Sequence, residues 1–344
     1  MRTADVLAVV SQSGPSVDFF DATTHQHLET VELPAEPHEL CFDPEHRVLY
    51  CPITYRAGYY HTNSGRASQL VVIDPDVPEV VDIIDLAPEH GPHGLALDGP
   101  RQRLHVSVEE GPAGPGGVVV LDTRTRARIG RIDTGAPGPH WFTTTPDGRR
   151  GYASNKEAPY VSAVDLETGR VLRRVPVPGS EGIAMSPDGT RVCVATPYND
   201  VKGPAAAPTC VVVIDTATNE VVQAVPTDHQ VMPVHITSTG LLLAGELRKS
   251  RGNSALGGQA PGRLLVFAPD SYEPLGSVEV GKFPLTITSS PDGTRAYLSA
   301  VVSSEVAVVD LESLEVLATL PIARRGEPGA HGLAYVPGRG CLGS

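Results

Sequence analysis

Four histidines and one glutamate recur at one place in a repeated pattern: His38, His93, His140, Glu181 and His331. Each stands two residues before an apolar residue at the start of an apolar, strand-like run, as in His93-Gly94-Leu95-Ala96-Leu97 and His331-Gly332-Leu333-Ala334-Tyr335. Neutral imidazoles that converge on one point are a ready ligand set for a first-row metal, and a carboxylate adds charge neutralisation. Packed together without an ion, they would repel when protonated and their pKa values would fall. A lone histidine in such a place reads more simply as a polar plug hydrogen-bonded to loops. The chain has twelve histidines, and four at one repeat position favour the metal reading. Copper or iron heads the list of ions, with zinc or manganese also accommodated.

The elements that would position these residues are short strands. The unit Ser186-Pro187-Asp188-Gly189-Thr190-Arg191 leads into Val192-Cys193-Val194-Ala195 and, after a loop, Val211-Val212-Val213-Ile214-Asp215. It returns at Ser290–Arg295 with Ala296-Tyr297-Leu298-Ser299 and Val306–Asp310, and a third copy opens at Thr145–Arg150. Pro-Asp-Gly is turn chemistry, because proline pre-sets φ and glycine tolerates positive φ. The β-branched, alternating flanks are strands. Aligned on the residue two before the apolar start, the innermost strands A fall at His38, His93, His140, Glu181, Val234, Leu285 and His331, at intervals of 41 to 55 residues. Such spacing marks propeller blades. The expectation is an all-β, seven-bladed β-propeller over residues 1–338, with 339–344 as a tail. Blade 1 takes strands B, C and D from Val6–Val10, Val17–Asp21 and His27–Leu33, and strand A from His331–Val336, so the termini close the ring.

The Ser-Pro-Asp-Gly-Thr-Arg turn, Tyr152-Ala153-Ser154-Asn155 in strand B and the V-x-V-x-D of strand C resemble the YVTN group of propeller repeats. That resemblance covers nearly the whole chain and implies the fold. It leaves function open, since the group includes binding modules, lyases, lactonases and subunits of redox enzymes.

In blade order the ring reads His331, His38, His93, His140, Glu181, Val234, Leu285: a metal-binding arc closed by an aliphatic wall. His235 sits one place out of phase beside Val234 and is the marginal candidate ligand, since a one-residue shift turns a strand side chain to the other face. His90 reads as a supporting residue, His229 as a loop residue, and His25, His27 and His46 as surface residues. Loops between strands B and C lie on the same face as the ring. They are short in blades 1 and 7 and long in blade 2 (Thr54–Ser68, with Tyr55, Tyr59 and Tyr60), blade 3 (with Glu109-Glu110), blade 5 and blade 6 (Glu246, Arg248, Lys249, through Pro261). Long loops over a rigid scaffold carry binding residues. Tyr55, Tyr59, Tyr60, Arg248 and Lys249, with Val234 and Leu285 as the wall, are the expected substrate contacts. Glu181 or Glu246 would serve as general base. The Gly-rich Gly252–Gly258 lacks the strand–loop–helix context of a phosphate site.

The chain has 344 residues, 40% apolar and 19% charged, with 35 Gly and 32 Pro spread along it, which suits many short strands joined by turns. A net charge of −13 argues against nucleic acid and anionic membrane surfaces. Five cysteines without metal-finger spacing read as reduced and buried, with a Cys41–Cys51 bridge geometrically open. No signal segment or membrane span is visible, so a cytoplasmic location is expected. The resulting expectation is a metal-dependent oxidoreductase acting on a small molecule. The alternatives are a metal-assisted lyase or hydrolase, and a propeller that binds a ligand or partner without catalysis.

Overall fold

The computed structural model describes residues 4–57, 63–112, 114, 116–196, 208–249, 258–326 and 329–339, with Lys249 by its backbone alone. They form seven antiparallel sheets, six four-stranded and one five-stranded, arranged as the blades of a propeller. Each blade runs from strand A on the channel to strand D on the rim. Blade 3, for example, contains His90–Asp98, Arg103–Glu110, Gly117–Asp122 and Arg128–Ile132. In blade 2 strand A is split into Glu36–Pro37 and Cys41–Asp43. Both segments pair with strand B, Val48–Tyr55.

Burial follows position in the blade. Strand B of blade 1, Val6–Ser11, is buried on both faces because a blade packs against a neighbour on each side. Strand D, His27–Glu32, is mostly exposed. One apolar cluster fills each gap between successive blades. Phe19 and Val17 of blade 1 meet Leu49 and Val71 of blade 2, and Tyr50 and Leu70 of blade 2 meet Leu104 and Val119 of blade 3. The remaining gaps are filled in the same way up to Leu7 and Val9 against Tyr297 and Val308, where blade 1 meets blade 7. Each such side chain contributes about 1.5–3 kcal/mol of burial free energy.

The repeated turn works as its residues dictate. Asp188 accepts from the Ser186 hydroxyl at 2.6 Å and the Thr190 N–H at 3.0 Å, and Gly189 takes φ 73°. Asp147 and Asp292 repeat this with Gly148 and Gly293. The aspartate ending strand C caps the next turn: Asp215 accepts from the N–H groups of Ala217 and Thr218.

The ring closes through the termini. Val6–Ser11 pairs with Ala330–Val336, with Leu7 opposite Tyr335 and Val9 opposite Leu333. This pairing carries His331 to the side of His38. Cys41 faces Tyr50 across its pair, and Cys41, Cys51, Cys193 and Cys210 are free thiols. Cys341 lies outside the described residues. Arg339, where the tail was expected to begin, is bonded to Asp76. No helix among the described residues is long and apolar enough to cross a membrane.

Candidate metal centre

In blades 1, 3, 4, 6 and 7 the ring residue sits in a β-bulge near the start of strand A. In blade 3 the register slips between Pro92, opposite Val108, and Leu95, opposite Val106, so His93 lies in the bulge. The slip recurs around His140 (Pro139 with Asn155, Phe142 with Ala153) and His331 (Ala330 with Ser11, Leu333 with Val9). A bulge bends its strand and re-aims side chains, here toward the channel. Hydrogen bonds between blades fix the height. The N–H of Gly332 donates to the carbonyl of His38 at 2.9 Å, and the Ser107 hydroxyl donates to that of His140 at 2.6 Å. A Cβ on Gly332 would lie 2.5 Å from the His38 carbonyl oxygen, and one on Gly94 would lie 2.6 Å from that of His140. The glycine after the histidine is what lets the next blade approach so closely.

The four imidazoles form a contiguous arc in blade order. Ring centroids are 4.0 Å apart for His331 and His38, 3.9 Å for His38 and His93, and 3.6 Å for His93 and His140. Beyond His140, its Nδ1 lies 3.1 Å from Oε1 of Glu181. All five side chains are buried. Among the described residues neither ring nitrogen of His93 has a hydrogen-bond partner, although an unpaired buried polar group costs about 1–3 kcal/mol.

Two carboxylates that the sequence reading did not assign as ligands complete the cluster. Oε1 of Glu39 lies 3.4 Å from Nδ1 of His331 and 3.6 Å from Nδ1 of His38. Glu109, at the end of strand B of blade 3 rather than in a loop, offers an oxygen near His93 and His140. Arg66 Nε donates to Glu109 at 2.7 Å, and the Tyr55 phenol is also hydrogen-bonded to it. Tyr55 is buried with its ring 6.2 Å from that of His38, so it supports a ligand group rather than facing solvent.

Burial dominates the electrostatics of the cluster. Burial, and then the neighbouring imidazoles, hold His38 and His93 well below the usual histidine value. Burial, and then the His140 charge, bring His331 down to about 3. Burial, and then Glu181, push Glu39 well above the ordinary carboxylate range. Neutral imidazole is the form that binds metal, and a nearby divalent cation would reverse the penalty on the carboxylate. The donor set and the unpaired nitrogens of His93 fit a first-row ion.

Other expected site residues fall elsewhere. In blade 6 the bulge lies between Val231, opposite Glu246, and Val234, opposite Ala244. Met232, whose carbonyl accepts from the N–H of Gly182 at 3.0 Å, holds the ring position; Val234 lies two residues further along the strand. Met232 and Leu285 share one apolar cluster, so the wall is Met232 with Leu285. His235 Nε2 is 2.9 Å from the Ser289 hydroxyl and belongs to neither ligand group. Glu246 is a buried strand residue whose Oε1 accepts from the backbone N–H of His229 at 3.0 Å. Arg248 is also on that strand rather than in a lid, and it pairs with Glu279 on the rim strand at 3.0 Å. The Lys249 side chain, Tyr59 and Tyr60 lie outside the described residues.

A depression of ≈ 330 Å³ is lined by Leu40, Cys41, Phe42, Ser289, Leu333 and Tyr335, among others. Leu333 stands two residues on from His331 along strand A of blade 1, a rise of about 7 Å.

No family model and no curated protein matches this sequence. Solved structures share its fold. Kuenenia stuttgartiensis hydrazine synthase aligns at TM-score 0.65 and 16% identity over 86% of this chain and 89% of that one. Dihydro-heme d1 dehydrogenase NirN in complex with DHE aligns at 0.61 and 16%, over 95% of this chain but 65% of that one. A functionally unknown protein from Desulfotomaculum acetoxidans DSM 771 aligns at 0.69 and 16%, over 96% and 99%. At this identity the likeness establishes the propeller fold alone.

Proposed function

We propose that this chain is a metal-dependent enzyme, an oxidoreductase using copper or iron at the histidine cluster to act on a small organic molecule. The observation that carries this reading is the arc of four buried imidazoles, with both ring nitrogens of His93 without a partner among the described residues. Such an arrangement is costly unless something binds it. Two of the fold neighbours are described as enzymes, a synthase and a dehydrogenase, which is compatible with catalysis on this scaffold.

A redox ion there would supply one-electron chemistry, and any first-row ion would polarise a bound oxygen. The chain's own groups have separate tasks. Glu39 and Glu109 offset the cation's charge. Tyr55 and Arg66 hold Glu109 in place. Glu181, beside His140, would take a proton from a bound substrate, while Glu246 is held by the backbone N–H of His229. Met232 and Leu285 keep the opposite wall dry. Substrate would approach from the depression lined by Leu40, Phe42 and Leu333.

A second reading has its own support. The ligands are almost completely buried, and closed sites are typical of structural metals. There the ion would staple blades 1 to 4 without catalysis. Elemental analysis of protein purified without added metal or chelator, followed by assay of oxygen uptake with a panel of small alcohols, amines and phenols, separates the cases. Copper or iron with turnover supports the oxidoreductase. Zinc alone moves the reading to lyase or hydrolase chemistry. Metal that raises stability without any turnover supports the staple, and absence of metal refutes the proposal.

A further inference from the structure

The candidate ligands do not form one set. His38, Glu39 and His331 each offer an atom within 4.8 Å of the others, and so do His93, Glu109 and His140. Among the described residues no such group joins all four imidazoles. An ion with bonds of about 2.1 Å needs its ligand atoms within about 4 Å of one another. As the side chains stand, the four imidazoles therefore present two ligand groups rather than one, on blades that the hydrogen bonds at Gly332 and Ser107 hold in place. The two groups abut, since the rings of His38 and His93 are 3.9 Å apart between centroids. Each group has two imidazoles from successive blades and one carboxylate.

We infer that the channel binds two first-row metal ions side by side, one on His38, Glu39 and His331 and the other on His93, Glu109 and His140. This rests on the metal reading above and adds its stoichiometry and substrate class. Paired ions sit about 3.5–4 Å apart and clamp an oxygen between them. Each divalent ion keeps a net positive charge, because its group supplies one carboxylate. The complementary ligand is a small molecule with an anionic or ionisable oxygen that bridges the two ions. Glu109 shares its charge with Arg66, while Glu39 lies buried between two imidazoles.

The test is a titration of the chelator-stripped full chain with Cu(II), read by bound copper after gel filtration and by electron paramagnetic resonance. The expected result is two tightly bound copper ions per chain. The first gives an isolated Cu(II) signal, and the second quenches it through spin coupling. Glu39→Gln and Glu109→Gln each retain one ion with an isolated signal. One ion per wild-type chain overturns the pair while leaving the metal reading intact. No bound ion overturns both. Two ions with uncoupled signals overturn their adjacency. Should a variant fail to fold, the wild-type titration decides alone.

Discussion

Replacing His93 with alanine separates a metal-binding role from a packing role. In metal-free protein the substitution removes ring contacts with His38 and His140, at centroid distances of 3.9 and 3.6 Å. A cavity left by a large buried side chain costs about 2–5 kcal/mol. The same substitution removes two buried ring nitrogens that have no partner, and an unsatisfied buried polar group costs about 1–3 kcal/mol to keep. The two effects oppose each other, so His93→Ala should destabilise the metal-free protein by only about 1 kcal/mol. In excess metal the balance changes. An ion at about 1,000 times its Kd stabilises the wild type by about 4 kcal/mol, and the variant should lose that increment at its site. The assay is the urea midpoint of both proteins in chelator and in metal buffer. Near-equal midpoints in chelator and a wide gap in metal are expected. A metal-free variant several kcal/mol weaker than the metal-free wild type would show that His93 is there for packing.

Three further outcomes follow from the geometry. Gly332→Ala puts a Cβ 2.5 Å from the His38 carbonyl oxygen, so blades 1 and 2 must part; overpacking of this kind costs about 1–3 kcal/mol, visible as a lower denaturant midpoint together with weaker metal binding. Burial brings His105 down to about 4, so between pH 6.5 and 4 the unfolded chain binds the extra proton and stability falls as pH falls, by up to about 3 kcal/mol from this one residue; in His105→Leu, urea midpoints at pH 7 and pH 4.5 should lie closer together, and an unchanged gap would refute the assignment. Arg248→Ala breaks a half-exposed ion pair with Glu279 on the rim, so it should cost less than about 1 kcal/mol and leave metal content unchanged; loss of metal would bring Arg248 back to the site.

Fold and arc were legible for the same reason. The Pro-Asp-Gly turn repeats in three blades and shows the four-strand unit, and His38, His93, His140 and His331 each stand two residues before the apolar start of a strand A. Where the offset had no anchor, the reading slipped. Val231-Met232-Pro233-Val234 is apolar throughout, so alternation could not tell Met232 from Val234, and only the bulge register does. Glu39 was hidden by the rule that successive strand residues face opposite ways. Strand A of blade 2 is interrupted at His38–Leu40, and both His38 and Glu39 reach the cluster. The visible clue is that Glu39 stands where His93-Gly94-Leu95 and His331-Gly332-Leu333 have glycine. Glu109 looked like a loop residue because the run after it is rich in glycine and proline, yet strand B continues through it. Glu246 and Arg248 were misplaced in the same way, because their strand extends to Lys249.

The central claim is that the imidazole arc holds metal, and anomalous X-ray diffraction from metal-loaded crystals, measured above and below the absorption edge of the ion, tests it most directly. The account predicts anomalous peaks within about 2.1 Å of the ring nitrogens, one among His38, Glu39 and His331 and one among His93, Glu109 and His140. A channel with no anomalous peak, its imidazoles bonded to water instead, would contradict it.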